Sequence, residues 1–124
     1  YLYVFGGSLV QWSVPFAFVL YFLWTRQFFA SCAILFWFGE SLLESVSYIA
    51  DATALAMPLF GGEGMVHDWN YLLFQIGVLH LDRAIAIGVR TAGYFVVLLS
   101  VLLCWGFIVT QIVSAFGQKR ESAL

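Results

Sequence analysis

The chain has 124 residues, of which 63% are hydrophobic and only 10% are charged, and its mean hydropathy is +0.95. Soluble domains usually carry about 25% charged residues, so the composition excludes an ordinary soluble protein and predicts one embedded in a lipid bilayer. The net charge of −2 is small and the basic residues are scattered, which argues against binding to nucleic acid.

The length fits one domain, and no change of composition marks a linker. The apolar stretches predict an all-α membrane protein with three transmembrane helices, plus a short interfacial helix in the second connection. We place the spans at about residues 2–24, 27–50 and 84–116, within a single membrane domain over residues 1–124. The outer loop with its short helix then occupies residues 51–82.

The first predicted span carries small residues and a proline. Gly6 and Gly7 would let another backbone approach closely, and Pro15 is expected to kink the helix. Thr25 and Arg26 leave a very short turn before the second span. The first two spans are therefore predicted to form an antiparallel hairpin.

The second predicted span carries carboxylates in its second half. Glu40 and Glu44 share one helix face, and Ser47 and Asp51 continue that face. An ionised group in the hydrocarbon costs about 2.5 to 3.5 kcal/mol or more, so this stripe is predicted to face protein or water rather than lipid. The other helices are therefore expected to pack on it.

Two residues on the neighbouring spans are the expected partners of these carboxylates. In the antiparallel hairpin Gln11 and Glu40 lie at similar depth, and we expect a protonated Glu40 hydrogen-bonded to Gln11. Glu44 and Arg90 fall near the same outer face, which predicts a salt bridge between the second and third spans. The sequence thus predicts an intramembrane polar cluster of Gln11, Glu40, Glu44 and Arg90.

The connection between the second and third spans is too long for a simple turn. Pro58 and the glycines that follow it predict a turn-rich loop, after which Asp68 caps a short helix from Trp69 to Leu79. Asp82 is expected to cap the last span. That span carries a predicted face of small residues on which another helix can pack, namely Ala84, Gly88 and Ala92.

Basic residues predict the orientation of the chain. With three spans, Arg26, Lys119 and Arg120 fall on one side of the membrane, whereas the acidic residues of the second connection fall on the other. Cytoplasmic segments carry the excess of Lys and Arg. We therefore expect a bacterial inner-membrane protein with a cytoplasmic C-terminus and with residues 51–82 on the outer side.

The polar residues outside the stripe form no complete reactive set. Imidazole is a common metal ligand, so His67 and His80 are the candidate metal ligands, although a capping or surface hydrogen bond is the commoner role for such histidines. Cys32 and Cys104 lie in apolar runs and are predicted to be free thiols. We identify no catalytic residue, and the sequence requires no cofactor.

Several motifs resemble those of a group of small bacterial membrane proteins related to the site-2-protease-like, M50-type zinc peptidases. They are GGSLVQ (6–11), LFWFGESL (35–42), PLFGGEG (58–64) and HDWNYLL (67–73). Peptidases of that class bind zinc through a His-Glu-x-x-His helix whose glutamate activates water. This sequence contains no such motif. The resemblance therefore implies either a zinc motif upstream of Tyr1 or a non-catalytic relative, and it transfers no catalytic residue.

Three functions follow as hypotheses. The first is a non-catalytic accessory or scaffold subunit that binds other subunits of a larger membrane complex, with energy-transducing (photosynthetic or respiratory) complexes as the class in view. The second is the membrane part of an M50-like metallopeptidase whose zinc motif lies outside this chain. The third is proton or ion translocation through Glu40 and Glu44, because intramembrane acids often mark such paths.

Overall fold

The computed structural model describes residues 6–56 and 68–121. Within these ranges all regular secondary structure is helical, as the sequence predicts. In chain order the elements are α1 (Gly6–Trp24), α2 (Phe28–Ala50), α3 (Asp68–Gln75), a one-turn 3-10 helix (Leu79–Leu81) and α4 (Asp82–Glu121). The loop predicted around Pro58 and its following glycines, like His67, lies outside the described residues.

Two helices are long and apolar enough to cross a membrane by length and composition, which corrects the prediction of three spans plus an interfacial helix. They are Phe28–Ala50 and the continuous segment Leu79–Glu121. In α1 the apolar stretch is the shorter Leu9–Trp24. The predicted first span begins at residue 2, and its first four residues lie outside the described part of the chain; within that part α1 runs over Gly6–Trp24 and contains the polar residue Gln11.

The turn between α1 and α2 confirms the predicted antiparallel hairpin. The N–H of Gln27 donates to the carbonyl of Phe22 at 2.8 Å, and Arg26 adopts the left-handed conformation with φ of 57°. This closure is the one with which helices commonly end, although glycine is the usual residue at the left-handed position. Beyond the turn, the hydroxyl of Ser31 donates to the carbonyl of Val19 at 3.2 Å and joins the two helices.

The closest helix contact in the fold is that between α2 and α4. Gly39 and Gly93 face each other so closely that a Cβ added at Gly93 would lie 3.4 Å from the carbonyl oxygen of Gly39 and 2.7 Å from the side chain of Leu43. A Cβ added at Gly39 would lie 2.7 Å from the side chain of Val97. Small residues thus let the two backbones approach, as they do in membrane helix pairs.

The face that α4 uses differs from the predicted one. Ala84, Gly88 and Ala92 are exposed. The buried residues of α4 are Asp82, Ala86, Gly93 and Ser100. Two residues along a helix turn the side-chain direction by about 200°, so the two small-residue stripes lie on nearly opposite sides of α4. Spacing alone does not distinguish them, and the fit against Gly39 and Leu43 on α2 selects the second.

A further contact fixes the register of α2 and α4. The hydroxyl of Ser100 donates to the carbonyl of Cys32 at 2.7 Å across the interface. Both cysteines are free, which confirms the predicted thiols.

From residue 108 to 121 every residue of α4 is exposed. The helix therefore continues past its contact with α2, which is consistent with its 40 residues against 23.

The second connection packs through α3 against the end of the bundle where α2 ends and α4 begins. We call this end, near Ala50 and Asp82, the outer end. Helix α3 ends at Gln75 rather than at Leu79, because Gly77 adopts a φ of 74° and the N–H of Val78 turns back to the carbonyl of Leu73 at 2.9 Å. Leu73 is buried, and Trp69 packs against the core cluster of Val46, Ile49 and Ala86. The helix is thus part of the bundle end.

The contact at Gly39 predicts a large difference between two alanine substitutions. In Gly39→Ala the new methyl group would lie 3.1 Å from the backbone nitrogen of Val97, which cannot rotate away. We expect a loss of about 1 to 3 kcal/mol in stability, as for overpacked cores. Gly106→Ala is the matched control, because nothing lies within 4 Å of its Cβ position and alanine is the better helix former.

Thermal unfolding of the two variants in detergent, followed by circular dichroism, measures this difference. Gly39→Ala should melt well below the wild type, whereas Gly106→Ala should melt at or slightly above it. Equal melting temperatures for the two variants would contradict the close approach of α2 and α4.

Candidate functional site

The polar stripe of α2 lies on a face of the helix that the rest of the bundle leaves partly open. Glu44 and Ser47 are exposed, whereas Glu40 and Asp51 are half-buried. The helix buries a different set of residues against α1 and α4: Ser31, Gly39, Ser41, Leu42, Ser45, Val46 and Ile49. The expectation that neighbouring helices of this chain bury the stripe is therefore wrong for Ser47, and Glu44 stays exposed although α1 reaches it through Gln11.

Small polar residues explain this rotation of α2. The indole N–H of Trp12 donates to the backbone carbonyl of Ser41 at 3.3 Å, and the hydroxyl of Ser45 donates within α2 to the carbonyl of Leu42 at 2.7 Å. Serines that bond to the backbone can be buried at little cost and leave space for a neighbouring helix. The spacing of Ser31, Ser41 and Ser45 is the feature of the sequence that would have indicated the packed face.

One predicted partner reaches the stripe. The side-chain amide of Gln11 donates to Oε2 of Glu44 at 2.8 Å, so Gln11 binds the carboxylate one turn beyond the predicted Glu40. Among the described residues, the side chain of Glu40 has no hydrogen-bond or ion-pair partner. The structure therefore brings together Gln11 and Glu44, and it leaves Glu40 beside them.

Arg90 lies at nearly the same height as Glu44 but is not paired with it. Leu43 contacts the α4 backbone at Gly93, and Arg90 lies one turn before Gly93. Arg90 and Glu44 are both exposed, and within the described parts of the chain no ion pair joins them. The predicted salt bridge between the second and third spans is therefore not formed.

An apolar groove continues the stripe toward the other end of α2. It encloses about 370 Å³ and lies between Ala33 and Phe36 of α2 and Val101, Trp105 and Ile108 of α4. Ala33 is in line with the stripe, because the residues at 33, 37, 40 and 44 recur at helical spacing. We call this combined surface the open face, and its defining residues are Trp37, Glu40 and Glu44 of α2 and Arg90, Val101 and Trp105 of α4.

A separate polar network closes the outer end of the bundle. The carboxylate of Asp82 accepts the backbone N–H of Thr53 at 3.1 Å and that of Arg83 at 2.6 Å, and the hydroxyl of Thr53 donates to the carbonyl of Leu79 at 3.3 Å. Asp82 precedes the apolar part of α4. Hydrogen bonding from Thr53 is the main cause that holds the pKa of Asp82 below its ordinary value, whereas burial opposes the shift.

Two further contacts tie α3 to this network. The side-chain amide of Asn70 donates to the carbonyl of Ala52 at 2.7 Å, and the rings of Trp12 and Trp69 lie 5.3 Å apart. The indole N–H of Trp69 is buried without an acceptor among the described residues. Sequence reasoning missed the roles of Trp12, Thr53 and Asn70, because their partners are backbone carbonyls and rings that lie far away in the chain.

The candidate metal ligands form no site in the described structure. His80 is exposed and lines a shallow pocket with Thr53 and Phe74. In residues 6–56 and 68–121 there is no group of three or more His, Cys, Asp or Glu side chains that could hold a metal ion. His67 lies outside these ranges.

No family model, curated protein or solved structure matches this chain. The resemblance to M50-type peptidases therefore remains an expectation from the sequence motifs.

Asp82 predicts a pH dependence of stability. Because its pKa is lowered in the folded protein, its carboxylate contributes stability above the unfolded value of about 4, and this contribution is lost as the pH falls through the folded value. Asp82→Asn should therefore melt below the wild type at pH 7. The difference between the two melting temperatures should shrink below about pH 4. A difference that stays constant from pH 7 to pH 3 would contradict this role.

Proposed function

We propose that this protein is a non-catalytic membrane subunit whose open face binds another transmembrane helix within a larger assembly. The observation that carries the proposal is the position of Glu40 and Glu44. They lie in a helix of membrane length, where Glu44 is exposed and Glu40 is half-buried, so this chain covers neither of them fully.

The energetic argument starts from the depth of these carboxyl groups. A helix of 23 residues is about 34 Å long, which matches the hydrocarbon core, and Glu40 lies near its middle. Facing lipid costs an ionised carboxylate about 3 kcal/mol or more, whereas a partner helix can offer it a donor. Binding another helix thus removes a cost that the isolated chain carries.

The shape of the open face supports the same proposal. Its apolar half contains two indole rings, and Trp37 and Trp105 are 47% and 67% exposed. Aromatic side chains provide large contact areas in interfaces. A groove between two helices also accepts a third helix without rearrangement. The polar features at the outer end, in contrast, already serve the fold through Asp82 and Asn70.

The proposed location is a bacterial inner membrane with the C-terminus in the cytoplasm. The supporting observation is that α2 and α4 are antiparallel, which places Arg26 and the last turn of α4 with Lys119 and Arg120 toward the same end of the bundle. An excess of basic residues at one end marks the cytoplasmic side.

Native electrophoresis of gently solubilised membranes tests the proposal. The wild-type chain should migrate as an assembly well above its own 13.9 kDa, and Glu40→Leu/Glu44→Leu should shift it to the single chain. Leu102→Ala is the control, because Leu102 is exposed on the side of α4 opposite Gly93. A wild-type chain that migrates alone, or a control that dissociates equally, would refute an assembly surface on the open face.

Proton transfer is the second candidate, and the observation in its favour is the carboxyl of Glu40, which lacks a partner among the described residues. Three helices do not enclose a path, so this function would require the assembled state. In proteoliposomes with an imposed pH gradient, Glu40→Gln should then abolish proton flux while Ser47→Ala preserves it. Equal flux in Glu40→Gln and the wild type would exclude this function.

A further inference from the structure

We propose that the open face binds a second copy of this chain, so that Glu44 of each copy pairs with Arg90 of the other. The inference rests on the proposed function, since it names the partner of the same surface. It is carried by the arrangement of opposite charges on α2 and α4.

Helical spacing puts Glu44 and Arg90 in line with the two walls of the apolar groove. Ala33 of α2 and Ile108 of α4 line the apolar groove together. Glu44 is in line with Ala33 along α2, three turns further on. Arg90 is in line with Ile108 along α4, because 18 residues make five full turns. A line drawn from the groove toward the outer end of the bundle therefore passes between Glu44 on α2 and Arg90 on α4.

The two charges also lie at nearly the same depth. Leu43 contacts the position of Gly93 directly. Glu44 lies one residue beyond Leu43 toward the outer end, and Arg90 lies three residues from Gly93 in the same direction because α4 is antiparallel. At 1.5 Å per residue their heights differ by about 3 Å. A rotation axis perpendicular to the bilayer preserves depth, so it can bring Glu44 against another copy's Arg90.

The charge pattern is self-complementary under a twofold rotation. The acids of the open face belong to α2, and its base belongs to α4. A twofold axis places α2 of one copy beside α4 of the next, and each contact occurs twice. The chain has only five Lys and Arg residues, and one of them stands on a face that also carries Glu40 and Glu44. This arrangement pairs Glu44 with an arginine inside the dimer, so no other subunit has to supply a donor to Glu44.

The side chains remain available for this pairing. Gln11 occupies Oε2 of Glu44, which leaves the second carboxylate oxygen as an acceptor. Arg90 has no side-chain partner among the described residues. Below the charged level, Trp37 and Trp105 of each copy would supply the apolar contact. The pairs would thus set the register, and the aromatic rings would bury most of the area.

Charge exchange between two tagged copies tests the dimer. Glu44→Arg alone places arginine against arginine at both contacts, and Arg90→Glu alone places glutamate against glutamate. Each variant should copurify with its own differently tagged copy at least about tenfold less than the wild type does, equivalent to 1.4 kcal/mol. Coexpression of the Glu44→Arg chain with the Arg90→Glu chain restores two opposite-charge contacts, so the mixed pair should copurify as the wild type does.

The mixed pair separates the dimer from the alternatives. Rescue in the mixture excludes misfolding as the cause of the single-variant losses, and it excludes a pair formed within one chain, because neither chain then carries both charges. Absence of rescue, or single variants that copurify as the wild type does, would overturn the dimer. If the wild-type chain migrates with other proteins and never with its own copy, the dimer fails while the proposed assembly stands. If it migrates alone, both fail.

Discussion

The approach of α2 and α4 at Gly39 and Gly93 is the constraint on which the rest of the structure depends. The two backbones come so near that neither position has room for a side chain. Once these glycines face each other, the rotation of both helices about their axes is determined. The remaining side of the packed surface on α2, with Ser31, Ser41 and Ser45, receives α1. Close packing thus places small residues inside and leaves the long side chains outside.

This rotation has a consequence for the charges. The carboxylates of α2 are displaced from the core because glycine and serine occupy it, which leaves Glu44 exposed and Glu40 half-buried. In water such an arrangement would be ordinary. In a bilayer an uncovered carboxylate is costly, and the cost falls when another helix provides a donor. The same packing that stabilises the helix pair is therefore the reason for the proposed association through the open face.

At the outer end of the bundle, polar side chains bind backbone atoms of this chain. Asp82 is the first residue of α4, and its carboxylate accepts the backbone N–H groups of both Arg83 and Thr53, so that it joins the start of this helix to the start of the connection. Asn70 donates to the backbone carbonyl of Ala52, next to Thr53, and the ring of Trp69 packs at a tilt of 47° against that of Trp12. Polar groups that bond to backbone atoms satisfy donors and acceptors at helix ends. These residues therefore explain how α3 stays in place, and the open face remains the surface with unsatisfied charges.

Composition and periodicity by themselves determined the all-helical class, the hairpin of α1 and α2 and the free thiols, because these depend on local propensity and on the apolar content of each segment. The length of α3 was missed because its end depends on the conformation of Gly77. Only the tertiary structure decided which face of each helix is buried. Ala84, Gly88 and Ala92 recur at a helical spacing as regular as that of the buried residues around Gly93. By depth along the helix, Glu40 is as good a partner for Gln11 as Glu44. Which face is buried depends on how closely two helix surfaces fit, and a difference of about one methyl group is enough to decide it. The sequence pattern of one helix carries no information about the shape of its neighbour.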